Sequence, residues 1–93
     1  MALPIVKNMK VGALQISVCD FAASGDVLPM HVHDETSAHV TLIQRGAITV
    51  RTPDRSHTYG APDILDFQAG EPHEFEALEP GTRITNIVKG ISQ

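Results

Sequence analysis

The sequence predicts an all-β fold, a small antiparallel sandwich or barrel, on three observations. Short β-rich segments recur along the 93 residues. Gly25, Gly46, Gly60, Gly70 and Gly81, with Pro53, Pro62, Pro72 and Pro80, punctuate them at intervals of roughly ten residues. No segment of helical length carries a 3.6-residue apolar period, so no long helix is expected.

The elements follow in order. "ALQISVCDF" (13–21) is rich in β-formers, and "VLPMHVH" (27–33) alternates. "HVTLIQR" (39–45) runs to Gly46 and is followed by "AITVRT" (47–52). "PDR" at 53–55 is a turn signal. "SHTY" (56–59), "DILDFQ" (63–68), "HEFEAL" (73–78) and "RITNIVKG" (83–90) complete the set. In "HVTLIQR" one face carries His39, Thr41 and Ile43, and the other carries Val40, Leu42 and Gln44. Neither face is fully polar, so one is expected to meet the core and the other a second sheet or a second copy. That predicts a homodimer.

Length and composition narrow the function classes. The chain is expected to form one domain over 1–93, with a marginal core that a metal or self-association would support. Cys19 is the only cysteine, so no internal disulfide forms, and it reads as a small residue within a strand. The net charge is −4 with no basic stripe, which argues against nucleic acid as a partner. The apolar runs fall far short of a membrane span, and "MALPIVKNMK" lacks the apolar core of a signal peptide. A soluble cytoplasmic protein is therefore expected.

The chemistry concentrates in "MHVHDETSAH" (30–39), which holds three of the five histidines. His31 and His33 stand two apart in a strand-like segment, so they share a face. Neutral imidazole is the commonest protein metal ligand. A tight hairpin would bring His39 back beside the pair, and His73 opens another strand after "AGEP". The four histidines are expected to converge inside the barrel.

These residues resemble a known family. "GDVLPMHVHDETSAHVTLIQRG" (25–46) resembles the first motif of the cupins: glycine, five residues, His-x-His, a short loop, glutamate, six residues, glycine. Here Gly25, His31, His33, His39 and Gly46 take those places. "GAPDILDFQAGEPHEFEA" (60–77) is similar to the second motif through Gly60, Gly70 and His73. The chain departs at His39, where most metal-binding cupins have glutamate, and at Ala77, where the family has asparagine. The first departure resembles small cupins that bind manganese through four histidines. An alternative alignment makes Glu35 the carboxylate ligand, at the cost of the six-residue spacing to Gly46.

The resemblance implies a cupin, an antiparallel jelly-roll β-barrel, with one divalent metal on His31, His33, His39 and His73. Manganese, iron or nickel are the expected ions, and zinc suits a closed tetrahedral arrangement. Four neutral imidazoles leave the ion near +2, which favours anionic or enolate-like ligands. The first functional expectation is a dioxygenase-type oxidoreductase, or a Lewis-acid lyase or isomerase, acting on a small organic substrate. The second is a binding or sensing module without turnover; the third is a structural zinc site. Phe75, two after His73, is expected to share its face and narrow the pocket, and Tyr59 to pack there or donate a proton. Phe21, Met30 and Phe67 read as core or pocket wall, and His57 as a surface residue. Asp34, Glu35, Glu71 and Glu74 read as solvated turn charges, any of which could orient a ligand histidine.

Overall fold

The computed structural model describes residues 2–31, 38–67 and 70–89. Among the described residues there are nine strands and no helix. They are β1 (Ile5–Val11), β2 (Leu14–Phe21), β3 (Val27–His31), β4 (Ala38–Arg45), β5 (Ala47–Thr52), β6 (Arg55–Gly60), β7 (Ile64–Phe67), β8 (His73–Ala77) and β9 (Thr82–Lys89). They form two antiparallel sheets, ordered β1-β2-β9-β4-β7 and β3-β8-β5-β6. No described helix is long and apolar enough to cross a membrane.

The core lies between the sheets and follows the two-residue period of a pleated strand. β5 buries Ile48, Val50 and Thr52, and β8 buries His73, Phe75 and Ala77, with partly exposed residues between them. Phe21, Ile43 and Ile84 from the five-stranded sheet close on them. On β4 the face carrying His39, Thr41 and Ile43 is the buried one, a choice between two mixed faces that the sequence leaves open.

The hairpin from β4 to β5 turns at Gly46, with φ +76°. A Cβ there would run into the Thr82 hydroxyl and lie 3.0 Å from the Thr82 Cα. Only glycine combines that backbone angle with that approach.

β1 is the strand that sequence reading does not find. Every residue of it is exposed. It pairs with β2 from Ile5↔Asp20 to Val11↔Leu14 and forms the edge of its sheet.

The outer face of the five-stranded sheet carries an apolar centre with charged ends. The register places Met9, Ile16, Ile87 and Val40 in one cross-strand row that ends at Asp66, and Val18, Thr85, Leu42 and Ile64 in the next, which begins at Lys7.

A histidine cluster between the sheets

β3 and β8 are neighbours, and their register sets His31 opposite His73. Two rungs away Leu28 faces Phe75, so three residues of β3 span what two residues of β8 span. This bulge matters for the site. Simple alternation would leave His31 on the face of Val27 and Pro29, opposite to Leu28. One extra residue reverses the parity and turns His31 inward.

His39 arrives from the other sheet, on β4 between Phe67 of β7 and Val88 of β9. The three rings meet. The His31 and His73 centroids are 4.4 Å apart, and those of His39 and His73 are 4.7 Å apart. His39 and His73 are 4 % and 1 % exposed, while His31 is half-buried. His33 and the acids Asp34 and Glu35 lie outside the described residues.

Phe67 stacks on both buried imidazoles, at 4.8 Å from His39 and 4.5 Å from His73. Phe75 is fully buried and packs behind the cluster, 5.4 Å from His73 and 6.2 Å from His31.

Hydrogen bonds set the proton positions. His31 Nδ1 lies 2.8 Å from the Pro29 carbonyl, and His73 Nδ1 lies 2.9 Å from the Glu71 carbonyl. A carbonyl only accepts, so in both rings Nδ1 carries the proton and Nε2 keeps the lone pair.

His39 is held the other way round. Thr41 Oγ1 donates to Asn86 Oδ1 at 2.5 Å, and His39 Nε2 lies 3.2 Å from the same oxygen and 3.1 Å from Thr41 Oγ1. The Asn86 amide is oriented by its NH₂, which points at Cys19 Sγ at 3.8 Å. His39 Nε2 is therefore the donor, and the lone pair falls to Nδ1, which is sheltered from solvent. Burial, with the neighbouring Asp20 charge, pushes the Cys19 thiol up to about 11, so it stays a neutral wall.

Among the described residues, which exclude His33, no group of three or more His, Cys, Asp or Glu side chains is placed to hold a metal ion. The donor chemistry of His31 and His73 fits an imidazole-bound metal, because both present Nε2. His39 would join such a set only through Nδ1.

Two clefts flank the cluster. One, of about 390 Å³, opens between β1-β2-β9 and β3 and reaches His31 and Asn86 past Gln15, Ser17, Leu28 and Met30. The other, of about 260 Å³, lies between β5-β6 and β7 and is lined by Val50, His57, Tyr59 and Phe67 among others. Tyr59 therefore lines a cleft that does not include the histidine cluster. Sequence reading missed Thr41 and Asn86 as site residues. Thr41 could have been found as the residue sharing the His39 face, whereas nothing in "RITNIVKG" marks Asn86.

Residues 16–87 match the AraC-like ligand-binding domain. The chain belongs to that family. A search of curated proteins found no match. Solved structures agree on the fold. KdgF from Halomonas sp. superposes with a TM-score of 0.79 at 19% identity, over 94% of this chain and 80% of that one. The cupin domain of an XRE family transcriptional regulator from Enterobacter cloacae gives 0.81 at 11% identity, over 95% and 97%. The Schizosaccharomyces pombe Cnp3 cupin domain gives 0.78 at 10% identity, over 92% and 60%. At such identities the likeness carries the fold alone, and that fold is the cupin jelly roll.

Proposed function

We propose that this AraC-like domain binds a small organic molecule at a divalent metal held by its histidine cluster. One observation carries the reading. His31 and His73, opposite each other in the register, both commit Nδ1 to a backbone carbonyl, the arrangement in which a ligand histidine binds metal through Nε2. His33 is the third ligand expected from its spacing. His39, whose Nε2 is taken up by Thr41 and Asn86, is the fourth through Nδ1 or else lines the pocket. Manganese, iron or nickel suits this donor set, with zinc as the competing ion.

A bound ion would supply positive charge to anchor an oxygen-bearing ligand. The chain's own residues do the rest. The cleft at His31 admits the ligand, Leu28 and Met30 give it apolar contact, and Gln15 and Ser17 offer polar groups at the mouth. Phe67 and Phe75 keep water from the buried imidazoles.

Recognition without turnover is the simpler form of this reading. The family is a ligand-binding one, and one structural neighbour is a domain of a transcriptional regulator. The catalytic form, a dioxygenase-type oxidoreductase or a Lewis-acid lyase or isomerase, is favoured by the open route to His31. Oxygen uptake and substrate consumption with diketones, phenols and enols separate the two. Turnover that vanishes in His31→Ala supports catalysis, and saturable binding without turnover supports recognition.

The domain is also proposed to self-associate through the outer face of the five-stranded sheet, where the row Met9, Ile16, Ile87, Val40 offers a second copy a continuous apolar surface.

A further inference from the structure

The walls of the cleft at His31 restrict what can enter it. The cleft measures about 390 Å³ and has β1, β2 and β9 on one side and β3 on the other. Among the described residues that line it, none is Lys, Arg, Asp or Glu. Cys19 adds no charge, since burial pushes its thiol up to about 11. Two large apolar side chains stand exposed on opposite lips, Val6 of β1 at 40 % and Met30 of β3 at 44 %. Leu28 and Val88, both half-buried, continue the apolar wall.

The polar groups of this cleft are largely taken up by the protein itself. Ser17 donates its hydroxyl hydrogen to Asn8 Oδ1 at 2.6 Å, so only its lone pairs remain for a ligand. Asn86 Oδ1 accepts from Thr41 and His39, and its NH₂ points one hydrogen at Cys19 Sγ. Gln15 is exposed at the mouth, where water competes for its amide. A sugar carries a hydroxyl on most of its carbons, each both donor and acceptor, and most would be buried here without a partner. Each such loss costs about tenfold or more in affinity. A second carboxylate fares no better, because no cationic side chain among the described lining residues can pair with it.

We infer that this cleft selects a small molecule with an apolar body, one oxygen-bearing end and at most one negative charge, and rejects sugars and polyanions. The inference rests on the reading of this cleft as the ligand site and deepens it by naming the ligand class. The oxygen end faces His31, and the body covers Val6, Leu28, Met30 and Val88. The volume lies near the lower end of the roughly 300–1,000 Å³ typical of small-molecule sites, which suits a ligand of one ring. β1 gains a role here, because its Val6 forms one lip of the cleft.

The test is calorimetry on the full chain loaded with manganese, with metal content measured on the same samples. Salicylate is the probe, with one charge, one ring and neighbouring oxygens at one end. Glucuronate keeps the single charge but brings the hydroxyls. Malonate keeps the oxygen pair but brings a second charge and no apolar body. Salicylate should bind saturably and at least about tenfold more tightly than either. Met30→Lys, at an exposed position on the lip, supplies the missing cation and should narrow the gap to malonate about threefold or more. Glucuronate or malonate binding as tightly as salicylate would overturn the inference. So would the absence of saturable binding at millimolar salicylate, or an unchanged ratio in a folded Met30→Lys chain of parental metal content. Manganese uptake reports on the metal reading separately: a chain that takes up none yet prefers salicylate refutes the metal and upholds the ligand class.

Discussion

Replacing His73 by leucine separates the role of the cluster in binding from its role in packing. The imidazole is 1 % exposed and sits among Phe67, Phe75, His31 and His39. Leucine is close to histidine in volume, so the change removes little packing. It does remove the Nδ1–H bond to the Glu71 carbonyl, worth about 0.5–1.5 kcal/mol net. The gain from burying an aliphatic side chain offsets part of this. The metal-free variant should therefore lie within about 1–2 kcal/mol of the parent, or roughly 5–15 °C in Tm for a domain this small.

Metal changes the comparison. An ion present at 100 times its Kd stabilises the folded parent by about 2.7 kcal/mol, roughly 10–20 °C. Changes to residues that merely support a ligand already cost about 10–100-fold in affinity, so losing a ligand should cost at least the upper figure. At the same metal concentration the variant then gains only about 0.4 kcal/mol, a few degrees at most. The assay is thermal unfolding of chelator-stripped protein with manganese added back. A His73→Leu chain that folds and still shows the full parental rise would refute the assignment of His73 to the metal.

Other outcomes follow from separate parts of the molecule. Gly46→Ala combines a left-handed backbone cost of about 1–2 kcal/mol with crowding against Thr82 of about 1–3 kcal/mol, so the urea midpoint should fall sharply; an unchanged midpoint would contradict the hairpin geometry. With its thiol near 11 and 1 % exposed, Cys19 should resist iodoacetamide at pH 8 in the native state, with roughly a thousandth of it as thiolate, and react on unfolding. The Arg83 guanidinium, at 2.7 and 3.1 Å, holds the Asp20 carboxyl below its usual value. Because the folded value is the depressed one, this contribution is present above the unfolded value of 3.8 and fades as pH drops through the folded value; Asp20→Asn should flatten that part of the acid unfolding curve. Ile16→Asp, on the outer sheet face, should convert a dimer to a monomer in sedimentation while leaving the fold intact.

The sequence showed most of the fold because its turns are chemically marked and its inner strands alternate. The face of His39, Thr41 and Ile43 was legible as one face, and it is the buried one. β1 was not legible because Ile5–Val11 is exposed throughout, so burial imposes no pattern on it. Alternation could not place His31 either, since a bulge between Leu28 and His31 reverses the facing of β3. That irregularity is decided by pairing with β8, far along the chain. Asn86 was invisible for a similar reason. Its importance comes from lying across the strand from Thr41, a relation set by the β4-β9 register. His57 and Tyr59 read as surface and packing residues until β7 supplied the other wall of their cleft.

The most direct test of the histidine cluster as a metal site is equilibrium dialysis of chelator-stripped protein, without a histidine tag, against micromolar manganese, iron, nickel and zinc in turn. Elemental analysis then gives the metal content per chain. The expected result is about one ion per chain for the parent and almost none for a folded His31→Ala, His73→Ala double variant. Equal occupancy in parent and double variant, or a parent that takes up none of the four ions, would contradict the account.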